Sequence, residues 1–90
     1  MKLVFTKAIA KDVRKLKDPK LISRVELALQ QLKDSNSLDD IPNVKRLKGH
    51  PYAYRIRIGQ YRLGFYVNEN TLVLARFLKR NDIYKVFPPD

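Results

Sequence analysis

The chain has 90 residues, of which 44% are hydrophobic, and its nineteen Lys and Arg against nine Asp and Glu give a net charge of +10. That length suits a single domain over residues 1–90, and the apolar share excludes wholesale disorder. The absence of cysteine excludes a disulfide framework and any cysteine-ligated metal, no apolar run approaches the roughly 20 residues that span a bilayer, and the Met1–Lys7 start is too short for a signal peptide, so a cytoplasmic protein with no membrane partner is expected.

In chain order, Lys2–Phe5 reads as a short strand. Thr6 can cap a first helix running to about Lys17, with Ile9, Val13 and Leu16 on one face. Asp18 then caps and Pro19 opens a second helix running to about Lys33. Its apolar stripe is Leu21, Val25, Ala28 and Leu32, widened by Ile22 and Leu29. The two helices are expected to form a hairpin with almost no loop. Asp34–Asn43 is turn-rich. Strands are predicted at Val44–Lys48, Tyr52–Ile58, Tyr61–Val67 and Thr71–Leu78, separated by the turns Gly49-His50-Pro51, Gly59-Gln60 and Asn68–Asn70. The expectation is an α+β fold, an N-terminal strand and a two-helix hairpin followed by an antiparallel meander of about four strands, with the helices on one sheet face.

The charge is unevenly spread. Residues 1–40 carry net +3 and residues 41–90 net +7. No acid lies between Asp40 and Glu69, whereas Lys45, Arg46, Lys48, Arg55, Arg57 and Arg62 all do. Such concentration points to a polyanion-binding surface. The Gly59-Gln60 turn, with glycine first as a type II′ hairpin prefers, sets the register of its strands. Tyr54, Ile56 and Ile58 then face Phe65, Leu63 and Tyr61 on an apolar side. Ala53, Arg55 and Arg57 face Tyr66, Gly64 and Arg62 on the other. Arg57 opposite Arg62 is unfavourable unless an anion lies between them, and Gly64 opposite Arg55 leaves room for a ligand backbone. Tyr54, Tyr61 and Phe65 belong to the core by this register, leaving Tyr66 and Tyr84 as candidate base-stacking rings. Lys7, Lys11, Arg14, Lys15 and Lys17 read as a solvated helix face, and His50 as a surface turn residue.

The segments Val44-Lys45-Arg46-Leu47-Lys48-Gly49, Tyr54-Arg55-Ile56-Arg57-Ile58-Gly59-Gln60-Tyr61-Arg62-Leu63 and Lys79-Arg80-Asn81-Asp82-Ile83-Tyr84-Lys85 resemble the RelE/StbE branch of the RelE/ParE toxin superfamily. Length, charge and element order agree with it along the whole chain. The resemblance implies a cytoplasmic toxin that enters the ribosomal A site and cuts messenger RNA by attack of a 2′-hydroxyl on the adjacent phosphate. It implies no metal and no cofactor, and a cognate antitoxin as partner besides the ribosome and mRNA. Carried over position by position, Arg62 matches a phosphate-binding arginine, Arg80 a second arginine that stabilises charge on the phosphate, and Tyr84 a tyrosine that stacks on a base or orients the hydroxyl. Lys45, Arg46, Lys48, Arg55, Arg57 and Lys79 make up the expected RNA-binding set. Arg55 and Arg57 stand where well-studied members carry lysines, and arginine is far too basic to serve there as a general base.

Two other functions fit the same features, a ParE-like toxin that inhibits a topoisomerase without catalysis and a non-toxic RNA-binding module. If the basic surface lies on RNA, affinity for ribosomes falls steeply with salt, because each neutralised phosphate releases counterions. Sedimentation across a salt series checks this, and a flat response contradicts it.

Overall fold

The computed structural model describes residues 1–88, so the last two residues of the expected 1–90 domain lie outside the described residues. The elements are β1 (Lys2–Phe5), α1 (Lys7–Arg14), α2 (Pro19–Asp34), a 3-10 turn (Leu38–Asp40), β2 (Val44–Arg46), β3 (Ala53–Ile58), β4 (Tyr61–Asn68), β5 (Thr71–Lys79) and α3 (Arg80–Val86).

Local chemistry fixes the helix starts. The Thr6 hydroxyl accepts from the Ile9 N–H at 3.2 Å and donates to the Leu74 carbonyl at 2.9 Å, so one side chain caps α1 and ties it to β5. Asp18 accepts from the Lys20 N–H at 3.0 Å ahead of Pro19. α1 stops at Arg14, earlier than the predicted Lys17. The Lys15 and Leu16 N–H groups bond to the Asp12 and Val13 carbonyls, tightening the last turn and leaving a short connection before Asp18.

β2 to β5 form the expected antiparallel meander, and β1 adds to β5 in parallel, giving the order β1-β5-β4-β3-β2. The β3–β4 register is the predicted one, with Arg57 opposite Arg62 and Arg55 opposite Gly64. Gly59 has φ +61°, the left-handed value that the first position of a type II′ turn needs. α1 and α2 cover one face, where Ile9, Val25, Ala28 and Leu32 meet Ile56, Leu63, Phe65, Leu72, Leu74 and Phe77. Tyr54 stacks on Phe65 and Tyr61 on Phe77 with centroids 5.8 and 4.9 Å apart, so these rings are core, as the register requires.

Residues 80–86, to which the hydrophobic pattern assigns no element, form α3 on the opposite face. There Ile83 and Phe87 pack with Ala53, against Leu47, Tyr66, Ala75 and Leu78. A seven-residue helix has little stability of its own. It forms because Ile83 and Phe87, one turn apart, are both buried, at about 1.5–3 kcal/mol each. The sheet therefore has a small second core on the face that the sequence assigns to arginines.

Asp12 is the one buried charged residue among those described, at 5% exposure. Its carboxylate accepts from Arg76 Nε at 2.8 Å, Arg76 Nη2 at 3.1 Å and the Phe77 N–H at 2.9 Å, clamping α1 to β5 beside the bulge in the β4–β5 pairing. The Asp12 hydrogen bond in turn raises the pKa of Arg76, against partial desolvation. Asp12→Ala leaves a buried N–H and a guanidinium without partners and is expected to cost about 2–4 kcal/mol. Thermal unfolding should show Tm lower by more than about 10 °C, with Asp12→Asn in between; a loss no larger than that of an exposed substitution such as Lys11→Ala contradicts the clamp.

Candidate functional site

The hairpin β3–β4 supplies the rigid part of the site. Packing of Tyr61 and Leu63 into the core fixes the backbone on both sides of Arg62. Arg62 Nη1 donates to the Gly59 and Tyr61 carbonyls at 3.1 and 2.9 Å, which holds its guanidinium over the turn. Arg57, directly opposite, donates to Asn43 Oδ1 at 3.4 Å, while its own N–H donates to the Asn43 carbonyl.

α3 supplies the other part, and two contacts place it. The Arg80 N–H donates to the Gln60 carbonyl at 3.0 Å, tying the start of the helix to the hairpin turn. Phe87 lies over Gly64 so closely that a Cβ there would sit 2.5 Å from the ring. The Gly64 gap read in the sequence as room for a ligand is therefore filled by Phe87, and the expectation of a ligand approach there is corrected. Tyr66 is half-buried against the same ring, with centroids 5.2 Å apart, and is not an open stacking platform. Tyr84 is 46% exposed and remains accessible.

Tyr84 is held by cations. Arg80 Nε donates to its hydroxyl at 3.3 Å, and Arg55 lies 4.6 Å above its ring centroid, a cation–π distance. The hydrogen bond from Arg80 lowers the Tyr84 pKa below the ordinary tyrosine value, and the charges of Arg55, Arg80 and Arg62 add to this against a smaller desolvation effect. Burial lowers the pKa of Arg62, as do Arg80, Arg55 and Arg57; Tyr84 opposes the shift.

A cleft of about 500 Å³ joins these groups, lined by Asn43, Val44, Lys45, Arg55, Arg57, Arg62, Arg80 and Tyr84, with no carboxylate among them. A second, of about 740 Å³, shares Asn43, Arg57, Arg62 and Arg80 with it and continues past Gly59 and Gln60 to Arg24, Lys79, Asn81 and Asp82. Of the sequence-predicted residues, Arg62, Arg80, Tyr84, Arg55, Arg57 and Lys45 thus meet in one cleft and Lys79 lines its continuation. Arg46 and Lys48 are exposed and line neither; Arg46 pairs with Tyr54 and so points to the other side of the sheet. His50 lines neither cleft, its backbone closing the β2–β3 turn. Sequence reasoning missed Asn43, Gln60 and Arg24. The position of Asn43 immediately before β2, with φ +67°, was a detectable turn signal, but nothing local marks Arg24. Among the described residues no cluster of three His, Cys, Asp or Glu side chains is poised to hold a metal, and no helix is long and apolar enough to cross a membrane.

Fixed guanidinium donors around an open cleft can bind a phosphate and stabilise charge developing on it. A cation-flanked phenol can stack on a base or exchange a proton.

Known proteins resemble this chain in sequence and fold. Residues 3–84 match the family described as ParE toxin of type II toxin-antitoxin system, parDE. The chain is 38% identical to Toxin RelE3 of Methanocaldococcus jannaschii over 98% of its own length and 100% of that protein's. It superposes on the RelB-RelE antitoxin-toxin complex from Methanococcus jannaschii with TM-score 0.80 and 35% identity, covering 94% of this chain and 99% of that one. It shares the fold of the toxin in the intact E. coli RelBE complex at TM-score 0.70 and 23% identity, covering 87% and 94%.

Tyr84 is expected to titrate below an ordinary tyrosine in an NMR titration of its ring Cζ. Arg80→Ala, which removes the hydrogen bond that lowers this pKa, should move the titration up. Gly64→Ala, which displaces Phe87 and with it α3, should do the same without removing a charge. An unchanged Tyr84 titration in both variants contradicts the docking geometry.

Proposed function

This chain belongs to the RelE/ParE superfamily of type II toxin–antitoxin toxins, and we propose that it acts in the cytoplasm as a ribosome-dependent endoribonuclease, cutting mRNA in the A site without a metal. The observation that carries this reading is the meeting of Arg55, Arg57, Arg62, Arg80 and Tyr84 in one cleft lined by no acid. An inhibitor that works only by protein binding has no need of such a set.

In the proposed reaction the 2′-oxygen of one ribose bonds to the adjacent phosphorus as the bond to the 5′-oxygen breaks, leaving a cyclic phosphate and a 5′-hydroxyl. Arg62 holds the phosphate and Arg80 takes up the charge that develops on its oxygens. Arginines lack a usable base function, so the proton of the 2′-hydroxyl passes to Tyr84, whose phenolate is favoured by the neighbouring cations, and the leaving 5′-oxygen takes its proton from water. Because that pKa is lowered, the phenolate fraction rises at lower pH than for a free tyrosine. The rate should therefore climb with pH up to the folded pKa, and Arg80→Ala should move the climb to higher pH. Lys45 and Lys79 add charge along the strand.

A cognate antitoxin is the expected partner, since the similar M. jannaschii and E. coli structures are toxin complexes with RelB. An acidic segment of it suits the basic clefts, as complementary charge speeds association and fixes register. The second reading, a ParE-like topoisomerase inhibitor, is favoured by the description of the matching family. Induction followed by pulse labelling separates the two, a fast stop in protein synthesis supporting the ribonuclease and filamentation with a DNA-damage response supporting the inhibitor.

Single-turnover cleavage on programmed ribosomes at saturating toxin tests the chemistry. Arg62→Ala is expected to lose roughly 100- to 1,000-fold in rate, as for other preorganised donors, and Arg80→Ala somewhat less. Tyr84→Phe should be as severe as Tyr84→Ala if the hydroxyl handles the proton, and mild if the ring only stacks. Normal ribosome binding with cleavage at the parent rate in Arg62→Ala rejects Arg62 as the phosphate-holding donor, and absence of cleavage by the parent protein rejects the ribonuclease reading.

A further inference from the structure

The larger cleft contains a cation that comes from the wrong side of the sheet. Arg24 lies on α2, which packs on the face opposite Arg55, Arg57 and Arg62, yet it lines the cleft together with Arg57, Arg62 and Arg80. It gets there round the hairpin tip. Its Nη1 would lie 2.9 Å from a Cβ at Gly59, the residue whose carbonyl accepts from Arg62 at 3.1 Å. Two guanidinium groups therefore lie at one glycine, Arg24 where a Cβ would be and Arg62 on the carbonyl.

Among the described residues the only ion pair is Arg76 with Asp12, and no hydrogen bond engages the Arg24 side chain. Arg24, Arg57, Arg62, Lys79 and Arg80 line this cleft with Asp82 as its one carboxylate, and the excess of positive charge favours a further anion there. The smaller cleft can take one phosphate between Arg62 and Arg80. The larger one shares Asn43, Arg57, Arg62 and Arg80 with it and brings a different chemistry, with the amides of Gln60 and Asn81 and the carboxylate of Asp82 among its lining beside Arg24 and Lys79. A site for a bare anion would exclude a carboxylate. A site for a nucleotide uses one, because ribose hydroxyls and exocyclic amines donate hydrogen bonds while the phosphate accepts them.

Resting on the ribonuclease reading above, we propose that the larger cleft is a second nucleotide subsite, in which Arg24 binds the phosphate next along the RNA strand from the one cut. Asp82 and the Asn81 and Gln60 amides face the sugar and base edges of that nucleotide. The strand thus runs from Tyr84 across Arg62 and round the hairpin tip to α2, and Arg24 extends the hold on RNA beyond the reacting phosphate.

The test uses two short RNAs whose attacking 2′-hydroxyls are methylated so that they cannot be cut, a dinucleotide with one internal phosphate and a trinucleotide with two. NMR of the arginine Nε–H groups follows each site. Arg62 and Arg80 should shift with both probes and Arg24 only with the trinucleotide. The trinucleotide should bind more tightly, and Arg24→Ala, an exposed position that the fold tolerates, should reduce its affinity to that of the dinucleotide. The dinucleotide's own affinity should stay unchanged. The salt slope for the trinucleotide should shrink by about 0.7 in Arg24→Ala, the value for one single-strand phosphate, and Arg24→Lys should restore most of it. If Arg62 and Arg80 shift but Arg24 does not, or if Arg24→Ala weakens both probes alike, the second subsite is overturned and the reacting site stands. If neither probe moves Arg62, the second subsite is overturned, while the ribonuclease reading is decided by cleavage on programmed ribosomes. Movement of Arg24 with a polyglutamate peptide but not with the trinucleotide overturns the subsite in favour of protein docking.

Discussion

Phe87 lies on the sheet over Gly64, in space that any side chain at that position would fill, and the arrangement of the whole basic face follows from this contact. α3 is too short to be stable unsupported. Its docking through Phe87 and Ile83 gives it a fixed place, and the bond from the Arg80 N–H to the Gln60 carbonyl fixes its start. Arg80 and Tyr84 are thereby brought to Arg55 and Arg62, which come from a different part of the chain. Without the glycine, one half of the site would have no seat on the other.

What assembles there is costly to the empty protein. Arg55, Arg57, Arg62 and Arg80 share a cleft with no acid, and the Arg57–Arg62 pair is directly opposed on the sheet. The structure offsets part of this repulsion with neutral acceptors rather than counter-ions: backbone carbonyls for Arg62, the Asn43 amide for Arg57, the Tyr84 ring for Arg55 and its hydroxyl for Arg80. Acceptors of this kind hold a guanidinium in place but leave its charge for a ligand. The stabilising ion pair, Asp12 with Arg76, is kept apart from this cleft, where it joins α1 to β5 and neutralises nothing in the site. The buried ion pair and the basic cleft thus use different charges.

The strand half of the molecule was legible because its signals are local. Alternation of apolar and polar residues with a period of two fixes which side chains share a face, and a two-residue turn beginning with Gly59 fixes the register. From these alone Arg57 falls opposite Arg62, and Tyr54, Tyr61 and Phe65 fall in the core. The helix starts were legible for the same reason, since Thr6, Asp18 and Pro19 act within one turn. The basic excess between Asp40 and Glu69 likewise fell on strands that line the clefts, although Arg46 and Lys48 sit outside them. Alternation sends Arg46 to the other face, and Lys48 lies in the turn region beyond β2.

The sequence by itself therefore determined the strand register, the helix starts, the sign of the charge and the face that carries most of it, because each depends on spacing between near neighbours. Only the tertiary structure decided that residues 80–86 are a helix, that Phe87 and not a ligand occupies the Gly64 gap, that Tyr66 is covered, that β1 joins β5 in parallel, and that Asp12 and Arg24 reach their partners from distant elements. α3 shows the reason most clearly. Its seven residues carry too few apolar contacts to declare a helix, and the burial that stabilises it exists only once β3, β4 and β5 have formed the surface that receives it.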